Sequence, residues 1–245
     1  MKFIGFLNYL KIATDLRFWN SIKNTLVITA ISVPIEFILG LSLAIIFSGQ
    51  VKGKRILQTV LCLPMMIVPV MAGHIWRIMI VKEFGPIDFF FTEILKTPVD
   101  WLTDPVAATV AVSIANIWQW FPFMFLILLA GVISVPVELQ EAAQVDGASD
   151  WQIFRSITLP MIKPLITLAL ALRIMEGLKL FDIVFLITNG GPGIATETVS
   201  MYIFRLGFSF FDMGYASAAT YILMIISSVI LVILMQLMMR GGVGK

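Results

Sequence analysis

The sequence is short of charge and of nearly every residue type that does covalent chemistry. Only 13% of its 245 residues are charged, while 59% are hydrophobic. An average soluble domain is about a quarter charged and nearer half apolar. With a mean hydropathy of +0.97, this chain has too little polar surface to cover a soluble fold. A lone cysteine, Cys62, excludes an intrachain disulfide, and a lone histidine, His74, cannot build a metal site by itself. No His-Glu-x-x-His or Gly-x-Ser-x-Gly occurs, and no two apolar stretches each carry an aspartate, so an intramembrane enzyme lacks its nucleophile, base or metal. Seventeen basic against fifteen acidic residues leave a net charge of +2, which marks no nucleic acid or other polyanion as partner. What these absences leave is a membrane protein.

A helix crossing the hydrocarbon layer needs about 20 mostly apolar residues. Ile56–Trp76, Val106–Val137 and Met213–Met239 contain no acidic or basic residue, and Asn24–Val51 contains only Glu36. A fifth stretch, Pro164–Thr188, is apolar apart from Arg173, Glu176, Lys179 and Asp182. No run alternates as a barrel strand would. The expected fold is therefore all-α and polytopic, with five spans at about 24–48, 56–80, 106–134, 164–188 and 213–239 of a membrane domain 24–240. Residues 1–23 precede it, and 241–245 form a tail. Lys52, Lys54, Arg55, Arg155, Lys163, Arg240 and Lys245 fall on one side by parity, so that side, with the C-terminus, is expected in the cytoplasm. The same parity puts Met1 outside, although 1–23 holds Lys2, Lys11, Arg17 and Lys23 against Asp15 alone.

The loop 135–163 reads as helix–turn–helix. Pro136 suits a first helical position, and Glu138 and Glu141 lie toward the positive end of the helix dipole. Gly147 can take the left-handed conformation that stops the helix. Ser149 or Asp150 then caps a second short helix, which Pro160 is expected to end. Small residues at Ala142 and Ala143 let another surface approach the backbone, as in helix-in-groove docking.

The spacing within this loop carries more than its helix signals do. Glu141-Ala142-Ala143, then Gly147, then Ile157-x-Leu159-Pro160 resembles the EAA signature of binding-protein-dependent ABC importer permeases. Phe6-Leu-Asn-Tyr, Asn24-Thr25, Leu63-Pro64, Trp118, Phe121-Pro122, Phe181-Asp182 and Thr188-Asn-Gly-Gly-Pro192 resemble the carbohydrate (maltose/glycerol-3-phosphate-type) branch of that family. The resemblance implies a permease subunit, not an enzyme, that moves a sugar or related polyol across the inner membrane of a bacterium or archaeon. It implies as partners a second permease, a cytoplasmic ATPase dimer, an external binding protein and membrane lipid. Glu141, Ala142, Ala143, Gly147, Ile157, Leu159 and Pro160 would couple to the ATPase. No Gly-x-x-x-x-Gly-Lys-Ser/Thr occurs, so this chain needs no cofactor and ATP with magnesium would bind the partner. The family usually has six core helices, and this sequence begins where the first should already have ended. That favours a start assigned too late, with a five-span permease as the alternative.

The cargo route is less sharply marked. Asn116, Trp118, Gln119 and Trp120 combine amides with aromatic faces, as sugar sites do. Arg173, Glu176, Lys179 and Asp182 recur at three-residue steps and could line the route or neutralise one another along the helix. Glu36 and His74, alone in apolar segments, are expected to hydrogen-bond between helices. A channel or secondary transporter for a small polar solute is the alternative function, although neither needs the loop 135–163.

Overall fold

Inside a membrane the backbone must satisfy its own hydrogen bonds. The computed structural model describes residues 5–240, and all its regular elements among these are helices. The expected tail 241–245 lies outside the described residues. A short α1 (Leu7–Thr14) leads into α2 (Leu16–Ser48), and α3 (Lys54–Met66) and α4 (Pro69–Ile80) follow. A hairpin bearing α5 (Pro86–Phe89) and a π-helical turn (Phe90–Ile94) connects to α6 (Pro105–Ile133). The loop helices α7 (Val137–Val145) and α8 (Asp150–Ile153) precede α9 (Leu159–Leu178). The chain closes with α10 (Asp182–Ile187), α11 (Val199–Phe204) and α12 (Met213–Arg240).

Three apolar clusters stack along α2, and they fix the topology. Ile28 packs with Ala111, Val112 and Ala115 at the start of α6, while Ala44 and Phe47 pack with Leu128 and Val132 near its end. Helices α2 and α6 therefore run parallel, with α3 and α4 returning between them. Their crossing is close because Gly40 has no side chain: a Cβ there would sit 2.8 Å from Met124 Cβ. The third cluster joins Ile12 and Phe18 to Tyr202, Leu206 and Ala219. The loop 135–163 thus sits at one end of the bundle, and the N-terminus of α2 lies with α11 at the other.

Among the described residues four helices are long and apolar enough to cross a membrane, Leu16–Ser48, Pro105–Ile133, Asp150–Leu178 and Met213–Ile233, and a bent pair makes a fifth if it counts as one span. The expected first span begins eight residues early, at Leu16, because Asp15 accepts hydrogen bonds from the amides of Arg17 and Phe18 and caps the helix there. The expected span 56–80 is two helices bent by 95° at Ile67–Val68. Pro64 and Pro69 flank that break, and proline withholds the N–H a continuous helix needs. The expected span 164–188 is also corrected. Pro160 does not end a helix: it lies in the first turn of α9, which α8 joins through a π-helical turn at Phe154–Thr158. The wider turn absorbs the missing N–H, so one helix runs from Asp150 to Leu178. That helix stops before residue 188, and the chain resumes as α10 after Lys179–Phe181.

Candidate functional site

At the loop end, α7 is a helix with no buried residue. Its C-terminus is closed by Gly147, whose φ of +81° is the left-handed conformation expected of it. The amide of Ala148 donates to the carbonyl of Ala143 at 2.9 Å, and that of Gly147 to Gln144 at 3.0 Å. This paired arrangement is the Schellman cap. Ser149 then starts α8 with a capping box, its side chain and that of Gln152 each bonding the other's backbone amide. Glu141 and Ala142 face solvent, and Ala143 is half-buried. Ile157 packs on the apolar cluster between α2, α6 and α9, so the π-helical turn is anchored while α7 stands off. Leu159 is half-buried and Pro160 is exposed. Leu139, Val145 and Trp151 project apolar side chains, 45%, 87% and 67% exposed.

At mid-height the structure gathers part of the residue set singled out from the sequence and disperses the rest. A cavity of about 110 Å³ is lined by Asn116, Trp120, Glu176, Lys179 and Asp182, together with Arg173. It lies between the two breaks, with Pro69 on one wall and Leu180–Ile183 on the other. Trp118 instead packs edge-on against Trp76, ring centroids 6.0 Å apart. Gln119 donates its amide N–H to the carbonyl of Ile67, 2.9 Å away, and so satisfies an acceptor released by the bend. The ladder of four charges does not form along the helix. Arg173 turns away from Glu176 and makes a forked pair with Glu36 on α2, at 2.6 and 2.8 Å, both side chains buried. The guanidinium also lies 4.9 Å from the centroid of Trp120. Glu176 and Lys179 form an exposed pair at 3.4 Å. Asp182 sits beyond the break, in the first turn of α10. Glu36 therefore bonds between helices as expected, whereas His74 is exposed and has no hydrogen-bond partner among the described residues.

The far end holds a polar cluster that sequence reasoning missed. Glu197 is fully buried and receives Arg17 through two bonds of 2.7 and 2.8 Å, with Arg205 on its other face. Asn24 donates to the carbonyls of Ile194 and Glu197, and the Thr25 hydroxyl accepts from the amide of Val199. Thr196 bonds the carbonyl of Gly191 inside the Gly190-Gly191-Pro192 loop. That loop is thereby fastened to the start of α2 rather than hanging free. Beside it, the Asp15 carboxylate accepts from the hydroxyls of Tyr202 and Tyr215. Burial works to raise the Asp15 carboxyl, but the bonds from Tyr202, Tyr215 and the Phe18 and Arg17 amides hold it below its ordinary value. Burial and the bond to Asp15 push the Tyr202 phenol up. The partners lie about 180 residues apart, and no local pattern announces them. The basic excess in 1–23 was the one available hint, since Arg17 needs an acid to face.

A capped loop at one end, two broken helices around a polar cavity and a fastened far-end loop form one arrangement. Residues 17–241 match the family model for the binding-protein-dependent transport system inner membrane component. The chain belongs to this family. Its relatives include the trehalose/maltose transport system permease protein MalF of Thermococcus litoralis, 38% identical over 86% of this chain and 70% of that one. The trehalose transport system permease protein SugA of Mycobacterium tuberculosis is 37% identical over 99% and 77% of the two chains. Among solved structures, a chain of a bacterial ABC transporter that imports the acidic polysaccharide alginate superposes with a TM-score of 0.89. It is 27% identical and is matched over 100% of this chain and 86% of its own. A chain of the MetNI methionine transporter, at 17% identity and a TM-score of 0.65, shares the fold. The protein is thus an all-α, multi-pass permease subunit of an ABC importer.

Proposed function

We propose that this permease carries a sugar or related polyol into a bacterial or archaeal cell, driven by an ATPase that docks on the loop around Gly147. One observation carries the reading. The helix that starts after the Gly147 turn, at Asp150, runs unbroken to Leu178 and ends at the polar cavity. At 1.5 Å per residue its 29 residues span about 43 Å. A push on the capped end is therefore delivered to Arg173, Glu176 and Lys179 without passing through a flexible joint. Movement at the loop and accessibility of the cavity become two faces of one two-state element.

In this reading the loop end is cytoplasmic, and α7, with Glu141, Ala142 and Ala143, seats in a groove on one ATPase subunit of a dimer that holds ATP and magnesium. Gly147 sets the angle of α7; Ile157, Leu159 and Pro160 join it to the long helix. The fastened Gly190–Pro192 loop faces outward, where a binding protein delivers cargo, and a second permease completes the passage. Asn116, Trp120, Glu176, Lys179 and Asp182 would meet the cargo in the cavity; Trp118 and Gln119 would shape its wall. The sugar relatives, the trehalose/maltose and trehalose permeases among them, support a saccharide cargo.

The test is uptake of labelled maltose and trehalose by vesicles containing this chain with the ATPase, second permease and binding protein of its own transport system. Uptake is expected only with ATP on the ATPase side and binding protein on the other. Uptake that persists without both would make the chain a channel or secondary transporter.

A further inference from the structure

Among the described residues Arg17, Lys82, Lys96, Arg173, Lys179 and Arg205 are each paired with a carboxylate. Lys52, Lys54 and Arg55 are not, although they crowd into four positions where α2 turns into α3. Lys52 and Arg55 are exposed and Lys54 is half-buried. Like charges this close repel one another, so a surface that keeps them together suits an anionic partner.

Charge alone would fit an acidic protein as well as a headgroup, and the rest of α3 decides between them. From the turn, α3 runs to mid-height, where Gln119 holds the carbonyl of Ile67. Its inner side carries Leu61, which packs on the cluster between α2, α6 and α9. Its outer side is a row at helical spacing, Ile56, Val60 and Leu63, exposed by 73%, 55% and 49%. Met66, 75% exposed, extends it to a length of about 15 Å. Cations at the head of an apolar row on a membrane helix match a phospholipid's own order, headgroup and then acyl chain. The loop helices carry the opposite sign, with Glu138, Glu141, Asp146 and Asp150 all exposed. A protein surface complementary to those carboxylates is basic, and Lys52, Lys54 and Arg55 would repel it.

We propose that the α2–α3 turn and the outer side of α3 form a docking surface for an acidic phospholipid. Lys52, Lys54 and Arg55 hold its phosphate, and one acyl chain lies along Ile56, Val60 and Leu63. A zwitterionic lipid is a poorer occupant, because its own cation faces three more.

Native mass spectrometry of the assembled transporter tests this, in micelles holding equal phosphatidylglycerol and phosphatidylcholine of matched chains. The wild type should retain phosphatidylglycerol roughly tenfold over phosphatidylcholine. Lys52→Gln with Lys54→Gln and Arg55→Gln should bring the two lipids level. Arg55→Gln alone keeps two of the cations that orient the chain; it should lower the preference several-fold and serves where the triple variant does not insert. Lys11→Gln with Lys23→Gln removes cations from the far end and should leave the preference unchanged. Excess inorganic phosphate should not displace the lipid, and a six-carbon-chain phosphatidylglycerol should be retained several-fold less. Equal wild-type retention of both lipids, as when another subunit covers the turn, would overturn the proposal. So would a preference that survives both substitutions at the turn, one that falls as far in the far-end variant, or displacement by phosphate.

Discussion

Glu36 and Arg173 show how much one residue pair can decide inside a membrane. A charge stranded in hydrocarbon is costly, so each depends on the other, and the fork at 2.6 and 2.8 Å joins α2 to α9 where the cavity begins. Removing one partner should cost about 3 kcal/mol, because the other is left buried and unpaired. We expect Glu36→Gln to lower the thermal unfolding midpoint in detergent markedly, and Glu36→Leu with Arg173→Met together to recover most of the loss. A double variant as unstable as the single one would mean that packing, not charge, holds the two helices. At the far end the Asp15 cluster gives a pH signature. Its carboxyl is held below the ordinary 3.8, so its stabilisation is complete above that value and is lost as pH falls through the lower, folded one. Tyr202 is shifted up from 10.0, so its share is complete below pH 10 and is lost only above it. Unfolding midpoints should therefore drop on acidification below about pH 4, and Asp15→Asn should flatten that drop. An unchanged acid limb in the variant would remove Asp15 from the account. Neither pair was legible in the sequence beyond the oddity of Glu36, since a charge ladder at three-residue steps looked self-sufficient and the partner lay 137 residues away.

Among the elements, the two breaks matter most. Uninterrupted hydropathy between Ile56 and Trp76 read as one straight span, and the prolines at 64 and 69 went unused as a sign of the break. Hydropathy measures transfer into lipid and is blind to a bend whose freed carbonyl finds a partner. Gln119 is that partner, and its role as a tie between α6 and the α3–α4 break was hidden because an amide in an apolar helix suits a sugar as well as a carbonyl. Gln119→Leu leaves the Ile67 carbonyl without its bond and should destabilise the chain by about 1–3 kcal/mol. Hydrogen exchange around Ile67 should rise in that variant while exchange around α12 stays unchanged. Unaltered exchange at the break would show that the bend holds itself. The second break, at Lys179–Phe181, had no proline to mark it, and four charged residues in Pro164–Thr188 disguised a helix that starts on the loop side.

On the scale of the whole molecule, helical class and the capped loop were readable, because apolar length and helix-end chemistry are local. The Gly147 turn and Ser149 cap sit where their residue types require. The continuity of the helix past Pro160 was not readable, since it depends on a π-helical turn that tertiary packing of Ile157 supports. In the proposed mechanism that continuity couples loop to cavity, and the Gly147 turn is where the proposal is most exposed to test. Proline fixes φ near −65°, far from the +81° that Gly147 adopts. Gly147→Pro must therefore swing α7 away while leaving the spans, their buried pairs and membrane insertion intact. The decisive measurement is ATP-driven uptake by this variant alongside retention of the ATPase during purification. The account predicts that both are lost although the chain inserts at wild-type levels; wild-type uptake with normal ATPase retention would contradict it.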